Sequence, residues 1–153
     1  MSLESDIKLL GTVSMLSDFT EDKLRLLAFS AESRDFRDGQ RLYSAGDRAD
    51  CAHVISSGEV ALLPPGESET AAEVVGRGAL LGGLALIVDG ERTMTAVARG
   101  RVETILIRRP LFRRMLDEFP EIAAGLHRRL SANVRETTSR LMTVRDRLDR
   151  LGN

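Results

Sequence analysis

The chain has 153 residues, 42% hydrophobic and 29% charged, enough for one domain with a real core and too few for two full domains. No apolar run approaches the roughly 18–20 residues that span a bilayer. The opening MSLESDIKLL lacks the basic-then-apolar texture of a secretory signal, so a cytoplasmic protein is expected. Cys51 is the sole cysteine, accompanied by only two histidines, His53 and His127, which excludes an internal disulfide and argues against zinc.

The net charge of −1 is unevenly spread. Residues 1–100 carry 10 Lys/Arg against 16 Asp/Glu, and residues 101–153 carry 12 against 7. A basic C-terminal half can point to nucleic acid, but acids are interspersed throughout it, which fits a solvated helix face better.

In chain order, the first element expected is helical. Thr20 followed by Glu21 and Asp22 reads as a capping hydroxyl ahead of acids at the positive end of a helix dipole. Leu24, Leu27, Ala28 and Ala31 then recur at helical spacing. From Asp35 the texture changes to short runs punctuated by Gly39, Gly46, Gly58, Gly66, Gly76 and Gly78. HVISSGEVALL and TAVARGRVETILI favour half-buried strands, and PPGESET reads as an exposed hairpin tip. Cys51 and His53 fall on one face of a strand, with Cys51 expected to be a small buried residue rather than a nucleophile. After Ile107, Pro110 can open a helix over LFRRMLDEF, and Phe119-Pro120 breaks it.

Pro120 starts a long helix with a distinctive seam. Leu126, Leu130, Val134, Thr137, Leu141, Val144, Leu148 and Leu151 settle into a seven-residue repeat from Leu130 onward, the pattern of a coiled-coil seam. It favours a homodimer joined through residues 126–151 over a helix lying back on its own sheet. Arg128, Arg129, Arg145, Arg147 and Arg150 are expected to be solvated positions flanking it. The fold class expected is α+β, mainly β: an antiparallel β-roll or jelly roll flanked by N-terminal helices and a long C-terminal helix. The chain reads as a single domain with helices over 1–34, a roll over 35–108 and C-terminal helices over 110–151.

The stretch LLGGLALIVDGERTMTAV carries the candidate chemistry. Gly82 and Gly83 remove side chains that would block a close approach to backbone. LALIV can form a short helical turn whose first N–H groups point at an anion. Arg92 offers a planar fork matched to phosphate oxygens, with the Thr93 hydroxyl beside it. Taken alone the signal is weak, because a glycine pair in a β-rich chain also serves as a plain turn.

The order GDRAD, HVISSGEV, GALLGGLALI, ERTMTAV resembles the cyclic-nucleotide-binding domain of the cyclic-AMP receptor protein, its Crp/Fnr relatives and the cyclic-nucleotide-dependent kinases, over roughly residues 15–145. The most specific part, GGLALIVDGERT, is similar to that family's phosphate-binding cassette, here residues 78–95. The resemblance implies a β-roll flanked by helices, a cradle from Gly82, Leu84 and Ala85, a cyclic phosphate on Arg92, and support from Thr93. It also implies that two hydroxyl residues on the long helix contact the base. Thr137 and Thr138 stand at the matching spacing, Thr137 lying seventeen residues after Pro120, so cAMP is the favoured ligand and cGMP the alternative.

One position departs from the pattern. Where the family carries a glutamate that accepts the ribose 2′-hydroxyl proton, this chain has Gly83. Loss of such a bond costs about ten- to a hundredfold in affinity. Two functions are therefore carried forward: a cyclic-nucleotide sensor, and a degenerate homodimerising module that docks an unidentified protein without ligand. The family's transcription factors continue into a helix-turn-helix domain beyond the long helix. The chain stops at Asn153, so direct DNA binding is not expected, nor is catalysis.

Overall fold

Two long strands, each buried on both faces over much of its length, organise this fold. The computed structural model describes residues 2–66 and 70–131. Strand β4 (Cys51–Leu63) and strand β8 (Thr95–Arg108) pair antiparallel from Cys51↔Arg108 to Leu63↔Thr95. One face of the pair puts Ala52, Val54, Ile105 and Ile107 into a cluster with the helices, and the other puts Ile55, Val60, Ala96, Ala98 and Val102 into a second cluster inside the roll. Burial on both faces explains why these segments read as nearly continuous apolar runs rather than clean alternation.

The remaining strands pair with these two. β1 (Glu32–Phe36) and β2 (Arg41–Tyr43) pair with β8, while β5 (Glu73–Val75) and β6 (Leu80–Leu81) pair with β4. A separate ribbon joins β3 (Arg48–Ala49) to β7 (Gly90–Glu91). Every pairing is antiparallel, so the expected class of an antiparallel roll flanked by helices is the class found. The register of β4 shifts around Gly58, whose φ is +90° and where an added Cβ would stand 2.3 Å from the Arg101 carbonyl oxygen. Only glycine meets both conditions there.

Helices close one side of the roll. α1 (Leu3–Gly11), a 3₁₀ turn (Ser14–Leu16) and α2 (Glu21–Ser30) precede the sheet, and α3 (Arg109–Glu118) follows it. α2 begins where the acids predicted, but the Thr20 hydroxyl makes no capping bond, so the first-turn acids Glu21 and Asp22 complement that end alone. β1 opens at Glu32, ahead of the change of texture at Asp35, because its first residues are polar and mostly exposed. Pro110 sits in the first turn of α3, and a second helix runs through residues 120–131 after the break at Phe119. Of the predicted hairpin tip, Pro65 and Gly66 are exposed, and residues 67–69 lie outside the described residues. The heptad seam from Val134 onward, with Thr137 and Thr138, also lies outside them. The seam's first two members correct the expectation, since Leu126 is buried in the chain's own core and Leu130 packs against it.

Arg129 corrects an expectation. It is not a solvated seam neighbour: its guanidinium bonds the Asp18 carboxylate at 2.5 and 3.0 Å, the Met15 carbonyl at 3.2 Å, and the Ser14 carbonyl. The charges on residues 18 and 129 are too far apart in sequence for a local pattern to reveal the pair. Among the described residues no helix is long and apolar enough to cross a membrane.

Candidate anion site at Arg92

β6 delivers the chain to Gly82, which takes a left-handed conformation (φ +74°) and turns it into a four-residue 3₁₀ turn, Gly83–Leu86. The first bond of that turn runs from the Ala85 N–H to the Gly82 carbonyl (3.0 Å), so the amides of Gly83 and Leu84 stand ahead of it. β7 then returns the chain to Arg92. The Arg92 amide donates to the Asp47 carbonyl (2.7 Å) and its carbonyl accepts from the Gly46 amide (2.8 Å), fixing where the side chain leaves the backbone.

Arg92 is buried, only 8% exposed. Its Nη2 donates to the Cys51 carbonyl at 2.7 Å and lies 3.4 Å from Cys51 Sγ. Its Nε and Nη1 are buried and have no hydrogen-bond acceptor among the described residues. No carboxylate of the described residues forms an ion pair with it. Burial pushes the Cys51 thiol up, an effect only partly opposed by Arg92, so the sulfur meets the guanidinium as a neutral thiol. An uncompensated buried cation is costly, and such orphaned donors call for an acceptor, an anion or an ordered water.

Gly82 is what admits the guanidinium. A Cβ on residue 82 would stand 2.1 Å from Arg92 Nη1. A cavity of about 240 Å³ opens beside the pair, lined by Tyr43, Gly82, Leu84, Ala85, Arg92 and Thr93 among others. The structure thus brings together five of the residues singled out in the sequence: Gly82, Leu84, Ala85, Arg92 and Thr93. Gly83 does not line this cavity. It borders a neighbouring one of about 540 Å³ with Met15, Ile87, Leu126 and Leu130. A Cβ there would meet the tip of Leu80 at 2.8 Å and Met15 Sδ at 3.3 Å. Leu84, 68% exposed, borders both cavities.

Three supporting residues were not foreseen. Arg109, at the start of α3, donates from Nε to the Ala85 carbonyl (2.6 Å), bonds the Ala49 carbonyl, and lies 3.5 Å from the Asp89 carboxylate. It ties the 3₁₀ turn to the helix that follows the roll. Tyr43 places its ring 4.2 Å from Arg92 Cζ. His53, buried behind Tyr43, bonds the Thr104 hydroxyl at 3.0 Å. Burial, with Arg92 and Arg34 adding to it, pushes the His53 pKa down to about 4, so at neutral pH it puts no second cation beside Arg92. The doubled arginine of RRP was the available signal for Arg109, since a cation at a helix start opposes the dipole and so implies another role. Among the described residues no cluster of His, Cys, Asp or Glu could hold a metal ion.

The model of a family described as "Cyclic nucleotide-binding domain" matches residues 33–119. The chain resembles the solved structure of a cyclic nucleotide-binding-like protein from Brucella abortus bv. 1 str. 9-941, at 43% identity and a TM-score of 0.69, covering 73% of this chain and 97% of that one. It is 33% identical over 109 residues to a cAMP-dependent protein kinase regulatory subunit of Mucor circinelloides f. lusitanicus, covering 70% of this chain and 25% of that protein. It is 27% identical over 146 residues to the cGMP-dependent protein kinase egl-4 of Caenorhabditis briggsae, covering 92% of this chain and 20% of that protein. The chain therefore spans a quarter or less of the length of these two curated relatives.

Proposed function

The chain belongs to the cyclic nucleotide-binding domain family, and on that premise we propose that it is a regulatory sensor whose ligand is cAMP, seated with its cyclic phosphate on Arg92. The observation that carries the reading is the buried guanidinium with two donors that have no acceptor among the described residues, beside a cavity, where Gly82 leaves room for the guanidinium. Gly82, Leu84 and Ala85 cradle the phosphate and Thr93 supports it. The cavity of about 240 Å³ falls below the roughly 300–1,000 Å³ of a full small-molecule site. That size suits a phosphate and sugar, and leaves the base to be met by another part of the chain. Thr137 and Thr138 are the residues we assign to it, with the seam from Val134 to Leu151 joining two copies. The similarity to a cAMP-dependent kinase subunit supports cAMP, and the similarity to a cGMP-dependent kinase keeps cGMP as the competitor.

Titration of cAMP and cGMP into the protein and into Arg92→Ala tests this. Binding by the parent chain that is lost in a folded Arg92→Ala is the expected result. Unchanged affinity in the variant refutes the role of Arg92.

Gly83 favours a second reading, a domain that dimerises and docks a protein without ligand. Its discriminator is thermal unfolding, because a ligand that binds only the folded state raises Tm. No shift at millimolar cAMP or cGMP would make this the better account.

A further inference from the structure

We infer that Tyr43 is a positioning residue of the anion site and acts through Arg92; the inference rests on the anion-binding reading above. The guanidinium carbon lies 4.2 Å from the centre of the Tyr43 ring, and Tyr43 lines the same cavity. The meeting is built into the backbone. β2 carries a register shift, with Arg41 opposite Val97 and Tyr43 opposite the adjacent Ala96. Such bulges re-aim a side chain. Immediately beyond it the chain is fixed at three successive amides: Ser44 to the Asp47 carboxylate (2.9 Å), Ala45 to the Thr95 hydroxyl (2.9 Å) and Gly46 to the Arg92 carbonyl (2.8 Å). The segments bearing the ring and the cation are thereby locked together. His53 and then Phe36 back the ring, with centroids at 6.4 and 5.9 Å in succession.

The chemistry follows from the geometry of a guanidinium. Its N–H bonds lie in its own plane, so a ring over one face occupies no donor and leaves the edges for an acceptor. A desolvated cation is also attracted to the π face more strongly than an exposed one. Without the ring, the guanidinium keeps its Nη2 bond to the Cys51 carbonyl but Nε and Nη1 have no described partner, and the side chain turns toward water more often. Tyr43 therefore sets how much of the time Arg92 is in its binding position, and apparent affinity scales with that fraction.

The test uses the full chain and its Tyr43→Phe and Tyr43→Leu variants, with Tyr43→Met standing in should the leucine variant misfold. Calorimetric titration with cAMP is expected to give parent-like affinity for Tyr43→Phe and a loss of about tenfold for Tyr43→Leu. The Arg92 Nε–H resonance, assigned by its absence in Arg92→Lys, is expected to carry a ring-current shift in the parent and in Tyr43→Phe and to lose it in Tyr43→Leu. A merely structural tyrosine would move Tm without this pattern of rescue and shift. Binding by the parent with equal affinity across the series overturns the role of Tyr43 and leaves the function standing. Failure of the parent to bind overturns the anion reading and this inference with it.

Discussion

Replacing Gly82 with alanine tests how the anion site is built, because one methyl group carries two separable effects. The first is conformational. Residue 82 has φ +74°, where an L side chain costs roughly 1–2 kcal/mol. The second is steric: the new Cβ would stand 2.1 Å from Arg92 Nη1 and 3.3 Å from its Cζ. The obstacle is the end of a flexible side chain, so the fold gives by moving the guanidinium. Gly100→Ala isolates the first effect, since Gly100 has φ +72° and nothing within 4 Å of its added Cβ. Gly100→Ala should lose roughly 1–2 kcal/mol in urea unfolding, and Gly82→Ala should lose more, because displacing the guanidinium also breaks its bond to the Cys51 carbonyl. Only Gly82→Ala should lose ligand. Forfeiting even one charged hydrogen bond is worth about 1.5–3 kcal/mol, or ten- to a hundredfold in cAMP affinity. If Gly82→Ala binds cAMP as well as Gly100→Ala does, the guanidinium position seen here is not the binding one and the reasoning fails.

Three further outcomes are expected. Gly83→Glu should fold, because the crowding atoms are the ends of Leu80 and Met15. Because residue 83 opens on the neighbouring cavity, the variant should leave cAMP affinity unchanged; a tightening of about tenfold that 2′-deoxy-cAMP lacks would put the ribose in that cavity instead. His53 has a folded pKa of about 4 against a usual 6.5. As pH falls below 6.5 the unfolded chain takes a proton that the folded chain refuses, so stability present above that pH is lost down to about pH 4. The loss between pH 7.5 and 5 should be about 2 kcal/mol, and urea curves of His53→Gln at the two pH values should lack it. Leu141→Glu should yield monomers in sedimentation, and an unaltered dimer would place the interface elsewhere.

Much of the roll could be read from residue order, for a physical reason. Turns demand glycine, and strands that bury both faces demand apolar runs, so β4 and β8 stand out in the sequence. The cassette was legible because close approach to a guanidinium leaves a mark: glycine at 82 leaves the guanidinium where it stands. What was not legible are the long-range polar contacts. Nothing local to Asp18, Arg129 or Arg109 states that their partners lie across the fold. Tyr43 was hidden by a bulge, since alternation along Arg41–Tyr43 assumes a regular register that the sheet does not keep. Gly83 was read as part of the cradle, whereas its open side faces the neighbouring cavity with Met15 and Leu80.

The position of β8 also governs how the protein can be born. β1, β2 and β4 all find their partner in this one strand, which is made after them. Tyr43 ends β2, yet that strand's partners Ala96 and Val97 are added more than fifty residues later. At roughly 5–20 residues per second of synthesis, the first two strands leave the ribosome several seconds ahead of their complement. During that interval the chain exposes unpaired strand edges, the condition in which chains associate wrongly. Slow codons before β8 would lengthen that exposure and lower the yield of folded protein, whereas slow codons after it would not.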